Sequence, residues 1–176
     1  MATATIAPDQ NTILAEVFIA APPDRVFDAI SDPHQRQQWW GQKGLYQLTD
    51  SGSDLRLGGK WWSAGMGKDG KSFRVEGEYM EIDPPRRLVY SWLPDWSHPL
   101  KTVVHWELEA REVHGLQHRR PQKMGTGTVV KVRHEGFAGH VEAAAGHQQG
   151  WIRVLGWMQA YVEQGETVET REPISA

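Results

Sequence analysis

The 176-residue sequence predicts an α+β domain: a curved antiparallel β-sheet whose single apolar face is covered by a long C-terminal helix, with two short helices after the first strand. Three observations carry that prediction. Trp151, Val154, Leu155, Met158, Tyr161 and Val162 recur at helical spacing and mark one broad apolar face. Between Gly44 and Glu135 the pattern is all strand, broken by Gly, Asp and Pro turns at distances that suit hairpins rather than parallel crossovers. Within those strands apolar and charged residues alternate, so one face is dry and the other wet.

Met1 to Asn11 reads as a disordered tail, followed by one domain over residues 12–165 and a flexible tail over residues 166–176. Thr12 to Ala20 is rich in branched residues and reads as the first strand, stopped by Pro22-Pro23. Asp24 to Ile30 forms a short helix with Val26, Phe27 and Ile30 on one side, starting at prolines suited to a first turn. Ser31-Asp32-Pro33 interrupts it and starts a second, which ends at Trp39-Trp40-Gly41.

Six strands follow: Leu45 to Asp50, Gly59 to Ala64, Ser72 to Ile82, Arg87 to Leu93, Thr102 to Arg111 and Gly127 to Glu135. Alternation groups Phe73, Val75 and Tyr79 on one side, with Leu88, Tyr90 and Trp92, with Val104, Trp106 and Leu108, and with Val130, Val132 and His134. Arg74, Glu76, Glu78, Lys131 and Arg133 fall on the other. Glu112 to Thr126 reads as a solvated hairpin loop which, with Arg111 counted, has net charge +3 and is able to touch an acidic partner. The final helix spans Gly146 to Gln164. Its Gly150 and Gly156 each cost about 0.5–1 kcal/mol against alanine, which implies close helix–sheet approach or slack beside a cavity.

Composition excludes several classes. A net charge of −3 gives no electrostatic case for nucleic acid. The absence of cysteine removes disulfides and thiolate chemistry and fits a reducing, cytoplasmic setting. No segment approaches the roughly 20 apolar residues of a membrane span. There is no nucleophile elbow, and Gly65-Met66-Gly67-Lys68-Asp69-Gly70 is a turn with no helix after it, so no phosphate loop is read there. His114 and His118 lie four apart without a helix to align them, and His140 and His147 seven apart, so neither a metal nor any other cofactor is expected.

Phe27-Asp28-Ala29-Ile30-Ser31-Asp32-Pro33 with Trp39-Trp40, Gly58-Gly59-Lys60-Trp61, Glu81 through Trp92, His134-Glu135-Gly136-Phe137, and His147 with Gly150-Trp151 together resemble one family. It is that of domains like the activator of the heat-shock protein 90 ATPase, within the START-like (SRPBCC) helix-grip superfamily. The resemblance runs in order from Thr12 to Gln164. It implies the helix-grip fold and a cavity between the sheet and the terminal helix. The superfamily includes lipid carriers, polyketide cyclases and aromatases, so fold alone does not transfer chemistry.

The aromatic residues either fill a solid core or line such a cavity. The expected ligand-binding set is Trp62, Phe73, Tyr90, Trp92, Trp106, His134, Trp151 and Met158, with no catalytic residue assigned. A non-enzymatic binder of a small apolar or aromatic molecule is the expected function. The alternatives are a domain that binds a chaperone or other protein and a cyclase- or aromatase-like enzyme using His134; a homodimer remains open. Entry is expected past Trp39-Trp40 and the Gly65 to Gly70 turn.

Overall fold

The computed structural model of the chain describes residues 1–117 and 119–175. Its strands are β1 (Thr3–Ile6), β2 (Thr12–Ile19), β3 (Gly41–Gln42), β4 (Tyr46–Ser53), β5 (Lys60–Gly67), β6 (Ser72–Asp83), β7 (Arg87–Pro94), β8 (Thr102–Gln117) and β9 (Arg120–Glu135). The helices are α1 (Pro23–Ser31), α2 (Pro33–Trp39) and α3 (Val141–Gln164). All nine strands join one antiparallel sheet in the order β1-β2-β9-β8-β7-β6-β5-β4-β3. The α+β helix-grip architecture expected from the sequence is present.

Local chemistry sets the helix ends. Pro23 and Pro33 occupy first-turn positions, where a missing N–H costs nothing. The Asp32 carboxylate accepts from His34 N and caps α2. At the end of α3, Gly165 takes φ 72°, and the N–H groups of Gly165 and Glu166 donate back to Tyr161 O and Ala160 O.

The strand faces follow the predicted alternation. Leu88 pairs with Trp106 and Trp106 with Val132, while Tyr90 pairs with Val104 and Val104 with His134. Every one of these six is buried. Lys131 and Arg133 lie on the outer face and are exposed. α3 packs closest to β1 and β2. The β4–β7 half of the sheet therefore curves away from the N-terminal part of α3, and that divergence makes room for a cavity.

Three expectations need correction. The first segment is not a disordered tail: Thr3–Ile6 pairs antiparallel with β2, because β2 would otherwise leave an unpaired edge. The C-terminal segment is likewise packed, with Val168 and Arg171 buried. Arg171 donates to the carbonyls of Trp39, Gly41 and Trp157 and pairs with Glu166, so it fastens this segment across the end of α2. Residue 118 of the expected Glu112–Thr126 loop lies outside the described residues; 112–117 and 120–126 are not loop but continue β8 and β9 past the body of the sheet. Antiparallel pairing satisfies the backbone of these extensions without a core, and Lys123 bridges to Glu112 at 2.8 Å.

Candidate functional site: a cavity beneath the C-terminal helix

A cavity of about 670 Å³ lies between α3 and the inner face of β4–β7, within the roughly 300–1,000 Å³ of sites for small molecules. The strands supply Tyr46, Leu48, Trp61, Ser63, Phe73, Val75, Tyr90 and Trp92 to its wall, α2 supplies Arg36, and the chain around β3 supplies Trp40 and Leu45. Ala143, Gly146, His147, Gly150 and Val154 of α3 close it. These recur at three- and four-residue steps on one helical face. A Cβ added at Gly146 or Gly150 would meet no atom within 4 Å, so neither glycine is required by tight packing. Close helix–sheet approach, one of the two expected reasons for the helix glycines, is thus not the reason here. Trp96, Glu142, Gly146 and Arg153 are exposed lining residues and mark the opening.

The aromatic wall is internally braced. Trp61 stacks on Trp92 at 5.6 Å between centroids, Trp40 stacks on Trp92 at 6.2 Å, and Trp61 tilts against Tyr90 at 4.8 Å. Trp61 Nε1 donates to Ser91 O. That bond requires Gly77, where a Cβ would fall 2.6 Å from the indole nitrogen and 1.7 Å from the Ser91 carbonyl oxygen.

Arg36 is the buried cation of the site. Its Nη2 donates to Ser51 Oγ at 2.9 Å and to Gly52 O at 3.1 Å, and its guanidinium lies 5.7 Å from the centre of the Trp61 ring. Ser51 Oγ in turn lies 3.1 Å from Ser63 Oγ, which joins two strands to α2 at this corner.

His134 sits behind Trp92 at the closed end, and His147 lies between Trp92 and Trp96. Trp151 Nε1 can only donate, so His134 Nδ1 accepts from it at 3.0 Å, and His134 Nε2–H then donates to Thr102 Oγ1 at 2.6 Å. Thr102 Oγ1–H in turn donates to Trp92 O. By the same logic His147 Nε2 accepts from Trp92 Nε1 at 3.1 Å while Nδ1–H donates to Ala143 O at 2.8 Å. Both rings are thereby neutral. Burial holds the His134 pKa well below the usual imidazole value, reinforced by the neighbouring His147 and His105, and burial lowers His147 as well.

The structure divides the expected binding set. Phe73, Tyr90 and Trp92 line the cavity together. Trp106 and Trp151 stand behind them: Trp106 Nε1 donates to Tyr90 Oη at 2.9 Å, and the two indoles meet edge to face at 5.3 Å. His134 and Met158 are fully buried and do not line the space. Trp62 belongs to the outer face, where Arg74 covers its ring and its Nε1 donates to Asp50. Its place is taken by Trp61, because tandem tryptophans occupy opposite faces of a strand and only register decides between them.

Trp40, which was expected at the entry, forms wall, and Trp39 is fully buried with its Nε1–H on Ala29 O. Gly67 of the expected entry turn does border the cavity. Arg36, Tyr46 and Trp96 escaped the sequence reading. The available signal for Arg36 was its position three residues before Trp39 on the same short helix. No group of three or more metal-ligating side chains occurs among the described residues; His118 of the His114/His118 pair lies outside them.

The profile described as "Activator of Hsp90 ATPase homolog 1-like protein" matches residues 20–119. The chain belongs to this family. Among solved structures of the same fold, a protein from Chromobacterium violaceum is 24% identical with a TM-score of 0.63, over 87% of this chain and 97% of its own. One from Rhodobacter sphaeroides is 19% identical with a TM-score of 0.70, over 92% of this chain and 97% of its own. DynU16, from the dynemicin biosynthetic locus, is 20% identical with a TM-score of 0.64, over 90% of this chain and 49% of its own. No curated protein gives a significant match. No described helix is long and apolar enough to cross a membrane.

Proposed function

We propose that this family member binds a small, largely apolar or aromatic molecule in the cavity beneath α3, without turning it over. The cavity itself carries the reading. It combines ligand-sized volume with a wall of Trp40, Trp61, Phe73, Tyr90 and Trp92 and only a few polar groups. The braced rings form a largely preformed surface, which limits the ordering cost of binding. A neighbour of the same fold from a biosynthetic locus agrees with a small organic ligand.

The cyclase-like alternative loses its acid–base group. His134 is sealed behind Trp92 and Trp151, with both ring nitrogens engaged and out of reach of a molecule in the cavity. Proton transfer also needs a group that changes charge near neutral pH, and burial keeps His134 neutral there. The family's name supports a second reading, a chaperone as partner. A panel of lipids, flavonoids and polyketide-like compounds titrated against the intrinsic tryptophan fluorescence separates the readings. Saturable one-to-one quenching without product is expected. Product formation would mean an enzyme, whereas silence across the panel with stimulated ATP hydrolysis by heat-shock protein 90 would mean a co-chaperone.

A further inference from the structure

Resting on the binding reading above, we propose that the ligand of this cavity carries a carboxylate on its apolar or aromatic body, received by Arg36, with the hydroxyls of Tyr46 and Tyr90 as further donors on the same lining. Arg36 is only 5% exposed, and among the described residues no carboxylate lies within 4 Å of it. Its partners are a serine hydroxyl and main-chain carbonyls, which satisfy N–H groups but leave the positive charge unpaired. A buried charge in that condition is costly unless an opposite charge reaches it. Its Nη1 makes one bond only, a long one of 3.4 Å to Ile30 O, and so retains an N–H for a further acceptor.

The tyrosines point the same way by hydrogen-bond accounting. Tyr46 Oη accepts from Trp40 Nε1, and Tyr90 Oη accepts from Trp106 Nε1. An indole N–H cannot accept in return, so each phenol keeps an O–H with no protein acceptor among the described residues. Burial keeps both phenols protonated, raising Tyr46 to about 12 and Tyr90 higher still. The imidazole of His147 could balance these donors only with a lone pair, and its one lone pair is taken by Trp92.

The lining therefore holds unspent donors at Arg36, Tyr46 and Tyr90, while Ser63 and Ser97 can donate or accept and its one carboxylate, Glu142, lies at the opening. Its charged groups are Arg36 and Arg153 against Glu142 at the opening, a net positive set in a chain of net charge −3. An aromatic box of this kind also suits a quaternary ammonium ion. The buried guanidinium beside Trp61 opposes one.

The test is a fluorescence titration with three probes of one shape: anthracene-2-carboxylate, its neutral amide, and the 2-trimethylammonium analogue. The carboxylate is expected to bind about tenfold or more tighter than the amide, the scale of a charge-assisted pair. In Arg36→Gln that advantage disappears, the ratio of amide to carboxylate Kd falling to about one. Arg36 also ties α2 to the sheet, so Tyr46→Phe serves where Arg36→Gln does not fold; it should weaken the carboxylate selectively. Equal binding of acid and amide, or tighter binding of the ammonium probe, overturns the carboxylate and leaves the cavity reading standing. No binding of any probe overturns both.

Discussion

Replacing Gly150 by alanine should stabilise this protein. Gly150 lies inside α3, where glycine is about 0.5–1 kcal/mol worse than alanine because its backbone loses more freedom on folding. Such a gain is ordinarily cancelled when the new methyl strikes a neighbour. Here an ideal Cβ at Gly150 meets no heavy atom within 4 Å, and the same holds at Gly146 and Gly156. The whole propensity gain is therefore retained. For a domain of this size 1 kcal/mol moves the melting temperature by about 2–4 °C, so each substitution should raise it by roughly 1–4 °C.

The three sites separate two effects. Gly146 and Gly150 line the cavity and Gly156 does not, so all three alanines should raise stability while only the first two narrow the ligand site. Calorimetric melting of the three single variants, with ligand titration beside it, reads both. A lower melting temperature for Gly150→Ala would refute the reasoning, because it would mean that α3 packs tightly on the sheet at this point.

Other outcomes follow from the same geometry. Acidification from pH 8 to pH 5 should destabilise the fold: His134 is held neutral when folded and takes a proton near pH 6.5 when unfolded, so the unfolded chain binds more protons below that pH. The loss begins as pH falls through about 6.5 and grows by up to about 1.4 kcal/mol per pH unit until the depressed folded value is reached; a flat stability profile in urea titrations across this range would contradict the neutral assignment. Trp61→Ala should abolish ligand binding and Trp62→Ala leave it unchanged, and the reverse in a fluorescence titration would place the β5 register one residue off. Arg171→Ala should cost about 2–3 kcal/mol by urea unfolding, since it strips several carbonyls of a charged donor; a loss below 0.5 kcal/mol, the scale of an ordinary surface change, would show that the C-terminal segment is not a clasp.

The sheet was legible because period-two alternation is a binary signal and this one is clean. On β8, Val104, Trp106 and Leu108 are buried while His105, Glu107 and Glu109 of the opposite parity are not, and the register sets Val104 between Tyr90 and His134 and Trp106 between Leu88 and Val132. Parity says which face a residue takes but not how far along the sheet it lies. His134 was placed on the inner face correctly, yet it falls at the closed end beside Phe137 rather than at the cavity. Trp61 and Trp62 present both parities at once, so alternation cannot choose between them. Thr3–Ile6 has no strong apolar pattern of its own; its strand depends on the edge that β2 offers.

The cavity was legible only by inference, because an empty volume is a property of packing between distant segments. Gly146 and Gly150, four apart on one helical face, were the local trace of it. Arg36 was hidden by its polar neighbours in His34-Gln35-Arg36-Gln37-Gln38, a composition that reads as a wet helix until the β4–β5 hairpin folds over it.

The most direct test of ligand binding beneath α3 is a titration of anthracene-2-carboxylate into the wild type and into Gly150→Phe, followed by tryptophan quenching. Gly150 lines the cavity and a Cβ there meets no atom within 4 Å, so a benzyl group at this position has room to compete with the ligand. The wild type should show saturable one-to-one binding, and Gly150→Phe should lose it while keeping the wild-type circular dichroism and a melting temperature no lower than that of the wild type. Undiminished binding in a folded Gly150→Phe would place the ligand elsewhere and contradict the account.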